Sequence, residues 1–203
     1  MRIILASKSP RRKELLSRIG VEFECIVSDR EEKITCSEPE QVVEELSNQK
    51  AEYVFEIIRN QNGFGRESAL IIGADTIVVC DGEIMGKPKN EEDAYMMLKG
   101  LSGRSHSVWT GVTVLFVNMD KDGLFKENSV RTETFACETR VYMYDITDVE
   151  IKEYIKTGEP MDKAGAYGIQ GIATKFIERI DGDFNNVVGL PLSKLYQKIK
   201  NIL

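Results

Sequence analysis

A single histidine, His106, stands in the 203 residues, which leaves no room for a multi-histidine metal site and gives no support to a Ser-His-Asp hydrolase. The four cysteines, Cys25, Cys36, Cys80 and Cys137, form no CxxC pair. Neither a zinc site nor a thioredoxin-like motif is signalled, and the thiols read as reduced. No apolar run approaches the roughly 20 residues of a membrane span. The short apolar run Met1 to Ala6 lacks the length and cleavage site of a signal peptide, so the expected location is the cytoplasm, without a membrane. Positive charge is in deficit: 27 Lys and Arg against 33 Asp and Glu give a net charge of −6. With a pI near 5.1, this argues against a basic face for stable nucleic-acid binding. Internal repeats and low-complexity linkers are absent.

Hydrophobic residues at 42% suffice for a sizeable core, and charged residues at 30% suit an exposed surface. The length fits one domain. Ile3 to Ala6 reads as a buried strand. Ser9 is a good N-cap with Pro10 at the first helical position, and Gly20 ends that helix. Residues 21–27 suggest a second strand, and 39–59 a long amphipathic helix followed by a polar loop over 60–67. Residues 69–80 form one buried strand, and Asp81-Gly82 is a hairpin turn to 83–85. Asn90 caps a helix that stops at Gly100. Long strands follow at 107–117 and 133–144, around a polar turn at 118–128. Thr147 caps a helix that ends at Thr157-Gly158. A strand at 175–180, a turn at 185–191 and an amphipathic helix at 192–202 complete the chain. Hairpins mixed with crossovers predict an α/β fold with a mixed sheet.

Four constellations carry chemistry. The first is Ser7-Lys8-Ser9-Pro10-Arg11-Arg12, a strand running into a helix N-terminus. Free N–H groups there bind phosphate. Arg11 and Arg12 oppose the helix dipole unless an anion lies in front of them, and a guanidinium fork suits phosphate oxygens. The second is Asp75 in Gly73-Ala74-Asp75-Thr76. A carboxylate between two apolar runs is costly unless it is paired or metal-bound. The third is Lys87, fixed between Gly86 and Pro88, with Lys50 a further single cation. The fourth is the glycine-rich 157–171 segment, whose tight turns or close backbone approaches suit a ligand. Each feature alone is also compatible with ordinary surface or turn structure.

Together these segments resemble the Maf family of nucleoside triphosphate pyrophosphatases. The matching text is SKSPRRKELL at 7–16, GADTIVV at 73–79, GKP at 86–88, LSGRSHSVWTGV at 101–112, TGEPMDKAGAYGIQG at 157–171 and NVVGLP at 186–191. The order is consistent and spans nearly the whole chain. The resemblance implies a single Maf-like domain over 1–203, with two lobes around a central substrate cleft, related to the inosine triphosphate pyrophosphatase architecture. It also implies a divalent cofactor, Mg²⁺ or Mn²⁺, and often a homodimer. By the same resemblance Asp75 matches the proton acceptor. Ser7, Arg11, Arg12, Glu32, Lys50 and Lys87 match the substrate and metal site, with Glu32 and Asp75 as metal ligands. Arg12, Thr76 and Gln170 match positions tied to base selectivity.

The implied reaction is attack of water on the α-phosphorus of a nucleoside triphosphate, with pyrophosphate leaving. Asp75 is then base, metal ligand or both. Gln170 decides the base: an amide donates and accepts at once and fits the uracil-type edge of UTP or dTTP, whereas 7-methylguanine suits a carboxylate. Two alternatives stay open, a 7-methyl-GTP pyrophosphatase and a nucleotide-sensing regulator of cell division with little turnover.

Overall fold

The computed structural model describes residues 1–61, 63–65, 67–119 and 125–203. The chain opens with β1 (Arg2–Ala6) and α1 (Pro10–Ser17). Ser9 caps α1 by accepting from the Arg12 amide, and Gly20 takes φ 74° beyond its end. Strand β2 is only Glu24–Cys25, shorter than the expected 21–27. Both residues are exposed and pair in parallel with Ile4 and Leu5 at the edge of the sheet, with no second neighbour among the described residues to extend them. Helix α2 (Pro39–Gln61), β3 (Ala69–Cys80) and β4 (Glu83–Met85) follow, with Asp81 and Gly82 both at positive φ in the hairpin turn.

Helix α3 (Glu91–Leu101) is capped by Asn90 as the sequence predicts. It runs past Gly100 because Gly103, not Gly100, takes the left-handed conformation at φ 67°. Strands β5 (Ser105–Met119) and β6 (Phe125–Met143) are longer than expected. Of the predicted turn at 118–128, positions 120–124 lie outside the described residues, as do 62 and 66 of the loop at 60–67. Helix α4 (Asp148–Lys156) has a full capping box between Thr147 and Glu150. The glycine-rich segment winds into short 3₁₀ turns, and a third, Ile172–Phe176, delays β7 (Ile177–Asp181). The expected turn after β7 holds a one-turn helix, α5 (Phe184–Val188), closed by Gly189 at φ 120°. Helix α6 (Leu192–Ile199) is shorter than its amphipathic pattern suggests.

Among the described residues the strands form one mixed sheet of seven, in the order β2-β1-β3-β5-β6-β7, with β4 paired to β3. Strand β1 is parallel to β2 and β3, whereas β4 and β7 are antiparallel to their partners. The chain divides into two compact units. One comprises residues 1–75, 111–136 and 192–203, the other 76–110 and 137–191. The divisions at 75/76, 110/111 and 136/137 fall inside β3, β5 and β6.

In the first unit Ile4, Ala51, Val54, Ile71, Leu115 and others form an apolar cluster, where Phe55, Phe64 and Phe125 pack ring to ring. Helix α2 is seated on the sheet at two glycines. A Cβ on Gly73 of β3 would lie 2.2 Å from the Ser47 carbonyl oxygen, and one on Gly111 of β5 would lie 2.1 Å from that of Val43. Val43, Ser47 and Ala51 are four residues apart, hence on one helix face. Ser47 Oγ lies 2.9 Å from Thr113 Oγ1, which lies 3.0 Å from Thr134 Oγ1, so the buried hydroxyls under the helix are paired.

The second unit has its own core, including Val78, Leu98, Leu101, Val108, Val141, Ile151, Tyr154 and Phe176. His106 is 3% exposed, with Nε2 2.6 Å from Tyr167 Oη. Burial lowers its pKa to about 4.

Two predictions follow from these packings. The unfolded chain protonates His106 near pH 6.5 while the folded chain resists, so the stability of the neutral form is present above pH 6.5 and lost as pH falls toward 4. The loss is roughly 3 kcal/mol. Urea unfolding of wild type and His106→Gln across pH 7 to 4 should show this extra slope in wild type alone; parallel curves would contradict it. Gly111→Ala must push backbone against backbone. It should cost about 1–3 kcal/mol by urea unfolding, and a change under about 0.5 kcal/mol would mean that α2 is not seated as described.

Candidate active site

The site begins where β1 ends. Ser7 is buried, and its Oγ accepts from the Ser9 amide at 3.2 Å and from Arg12 Nη1 at 3.3 Å. Arg12, in the first turn of α1, is only 9% exposed, which a solvated surface arginine would not be. Burial lowers the pKa of its guanidinium, Asp75 raises it, Arg11 lowers it further and Glu32 raises it. Arg12 is thus a desolvated cation in the field of two carboxylates and a second arginine, and arginine stays charged under such conditions.

Those two carboxylates meet on Lys50. Its Nζ donates to Asp75 Oδ1 at 2.9 Å and to Glu32 Oε2 at 2.5 Å. Lys50 and Asp75 are largely covered, at 19% and 18% side-chain exposure, whereas Glu32 closes the cluster from the exposed side, at 33%. Lys50 precedes Ala51, which packs against Gly73, so the seating of α2 brings the ammonium to the end of the buried half of β3. Asp75 is the carboxylate that the sequence places between apolar runs, and Lys50 is its partner.

Glu32 has no regular element beneath it. The 28–37 segment is instead strapped to α2 by side chains. Arg30 pairs with Glu56 and lies over the Tyr53 ring. The Lys33 backbone exchanges two hydrogen bonds with the Gln49 amide, at 2.9 and 2.6 Å. Thr35 donates from its amide and its hydroxyl to Glu45, at 2.9 and 2.7 Å. Attachment on both sides holds Glu32 over Lys50. Glu45, Gln49 and Glu56 are the supporting residues that sequence reasoning missed. Their one signal is a polar row at helical spacing, which reads equally well as a solvated face.

Ser7, Arg12, Glu32, Lys50 and Asp75 therefore come together in the first unit, with Arg11 beside Arg12. Thr76, Lys87 and Gln170 belong to the second. Thr76 follows Asp75 in β3, so its side chain takes the opposite face. Its Oγ1 lies 2.9 Å from Thr110 Oγ1, which is 2.9 Å from the Asn186 carbonyl oxygen. Asn186 is fully buried and donates from Nδ2 to the Val108 carbonyl and to Thr139 Oγ1, both at 3.0 Å. Lys87 is exposed in the loop after β4, and Gln170 is exposed in the turn before the third 3₁₀ segment.

Among the described residues no group of three or more His, Cys, Asp or Glu side chains gathers as a metal cage. Glu32 and Asp75 are nonetheless hard oxygen donors held at one point. Magnesium-type ions commonly bind through one or two carboxylates and fill the shell with water and phosphate oxygens, so the donor set fits such an ion.

The family model described as "Maf-like protein" matches residues 2–202. A protein of Agathobacter rectalis named dTTP/UTP pyrophosphatase is 51% identical, the match covering 98% of this chain and 97% of that one. A Thermoanaerobacter protein of the same name is 45% identical over 98% of this chain and 96% of its own. Among solved structures, the Staphylococcus aureus Ham1 protein aligns over 100% of both chains at 12% identity and a TM-score of 0.47, a likeness too distant to carry weight. With a family match over essentially its whole length and relatives near half identity, the chain belongs to the Maf-like protein family.

Proposed function

We propose that this chain is a nucleoside triphosphate pyrophosphatase that hydrolyses dTTP and UTP to the monophosphate and pyrophosphate. The observation that carries the proposal is the Lys50 ammonium shared by Asp75 and Glu32 beside the buried Arg12, in a chain so similar to proteins bearing that name. Arg11, Arg12 and Lys50 offer three cations against two carboxylates, a balance suited to a polyanion.

In the proposed reaction a water oxygen bonds to the α-phosphorus, and the bond from that phosphorus to the α-β bridging oxygen breaks. Pyrophosphate leaves with the electron pair, and the water's proton passes to the Asp75 carboxylate. Arg11, Arg12, Lys50 and Lys87 bind and stabilise charge on the phosphate oxygens and the leaving group. Ser7 orients Arg12 through its hydroxyl and the first turn of α1 through the Ser9 amide. Glu32 and Asp75 would hold Mg²⁺ or Mn²⁺, which when bound supplies charge neutralisation on the phosphates. Gln170 reads the uracil-type edge, with Thr76 and Arg12 as the other positions of base selectivity.

A cytoplasmic location, homodimer formation and the absence of stable nucleic-acid binding belong to the same proposal. The four free cysteines suit a reducing compartment and the acidic balance disfavours nucleic-acid binding, while no helix among the described residues is long and apolar enough to cross a membrane.

The test is pyrophosphate release from a panel of UTP, dTTP, CTP and 7-methyl-GTP, with and without Mg²⁺. Release should be metal-dependent and greatest, as kcat/KM, for UTP and dTTP. A clear preference for 7-methyl-GTP would overturn the substrate reading. Asp75→Asn keeps side-chain volume and should lower kcat for UTP by well over about tenfold, which is 1.4 kcal/mol of barrier. Retention of more than about a tenth of wild-type kcat would remove Asp75 from the chemistry.

A further inference from the structure

Gln170 is exposed, and its side chain makes no hydrogen bond among the described residues. What the fold fixes is the direction of its Cα–Cβ bond, set by the backbone beneath it, and that backbone is tightly held. The Gly171 amide closes a turn onto the Gly168 carbonyl at 3.0 Å, and the Thr174 amide bonds to the Gly171 carbonyl at 3.1 Å. Thr174 Oγ1 lies 2.5 Å from the Ile169 carbonyl oxygen and 2.8 Å from that of Gly171. These contacts are local.

A further contact comes from earlier in the chain. Glu159, which starts the first 3₁₀ turn after α4, lays its carboxylate against this turn. Its Oε2 accepts from the Ile172 amide at 3.0 Å, and its Oε1 accepts from Tyr154 Oη at 2.9 Å. Tyr154 is 1% exposed, and burial and then the bond to Glu159 raise its phenol pKa, so the hydroxyl stays protonated and donates. At the other end of the residue, the Glu159 amide donates to Thr157 Oγ1 at 3.2 Å, and its carbonyl accepts from Lys163 Nζ at 2.6 Å.

Gly171 is the counterpart of that carboxylate. Its φ is −99°, a value open to any residue, so the backbone conformation does not demand glycine there. Space does: a Cβ on Gly171 would lie 2.1 Å from Glu159 Oε1 and 2.4 Å from its Cδ. A methyl group at 171 must therefore expel the carboxylate from the Ile172 amide. Glu159 and Gly171 form a clamp of two parts, and Gln170, with Ile169, is one of the two central residues of the turn that Gly171 closes.

We propose that Glu159 and Gly171 are positioning residues for base recognition, fixing the turn from which Gln170 meets the pyrimidine edge. This rests on the reading of Gln170 given above. The clamp works by geometry rather than by charge. A glutamine at 159 can accept from the Ile172 amide with its carbonyl and donate from its NH₂ to Tyr154 Oη, so it preserves the contact. Alanine at 159 and alanine at 171 each abolish it.

The experiment measures kcat and KM for UTP and CTP. The clamp predicts that Glu159→Ala and Gly171→Ala each lower the UTP-over-CTP ratio of kcat/KM about tenfold. The change should come through KM for UTP, with kcat held within about twofold. Glu159→Gln should keep the wild-type ratio. In a Gln170→Ala background, Glu159→Ala should leave the ratio where Gln170→Ala alone puts it, because residues that act through one another are not additive. A role confined to stability would lower activity on both nucleotides alike and would be additive, which would overturn the proposal. So would a wild-type ratio in Glu159→Ala and Gly171→Ala when Gln170→Ala collapses it. A wild-type ratio in Gln170→Ala itself would overturn the reading of Gln170 and the clamp together, and it is recognised without any change at Glu159.

Discussion

The candidate site depends on how closely α2 lies on the sheet. Two adjacent strands each omit a side chain, at Gly73 and Gly111, and the backbone of the helix occupies the vacated space. Interiors are close-packed, so a helix seated this way has one depth and one register. From that register follow the reach of Lys50 to Asp75 and the polar row Glu45, Gln49 and Glu56 that gathers the irregular 28–37 segment. Glu32 is brought to the same ammonium from a stretch with no secondary structure of its own. A charged cluster of this kind has to be held by rigid surroundings, since desolvated ions gain from one another only in good geometry.

Much of the architecture was legible in the sequence because its signals are local. Ser9, Asn90 and Thr147 cap the helices that their neighbours predict, and the apolar runs 3–6 and 69–80 are the buried strands. The departures have physical causes. Residues 21–27 shrink to a two-residue edge strand because only one side finds a partner. Helix α3 passes Gly100 because a glycine ends a helix only where the chain adopts positive φ, and Gly103 does so. Helix α5 is too short to show a periodic signature.

The cluster itself was half legible. Asp75 announces itself as a carboxylate among apolar residues that needs a partner, and Lys50 meets that need. The pairing of Lys50 with both Asp75 and Glu32 was not legible, because it is fixed by long-range packing rather than by spacing. The burial of Arg12 was hidden for the same reason. In the second unit, the Thr76–Thr110–Asn186 hydrogen bonds tie motif residues to partners far along the chain, a relation no local pattern encodes, and the Glu159 carboxylate reaches across its own glycine-rich segment to the Ile172 amide.

The central claim is a water attack at the α-phosphorus carried out by this chain. Its most direct test is UTP hydrolysis in ¹⁸O-labelled water, with the products separated and weighed by mass spectrometry. The account predicts UMP and pyrophosphate as the only products, with the label wholly in UMP. Label in pyrophosphate, or UDP and inorganic phosphate as products, would contradict it.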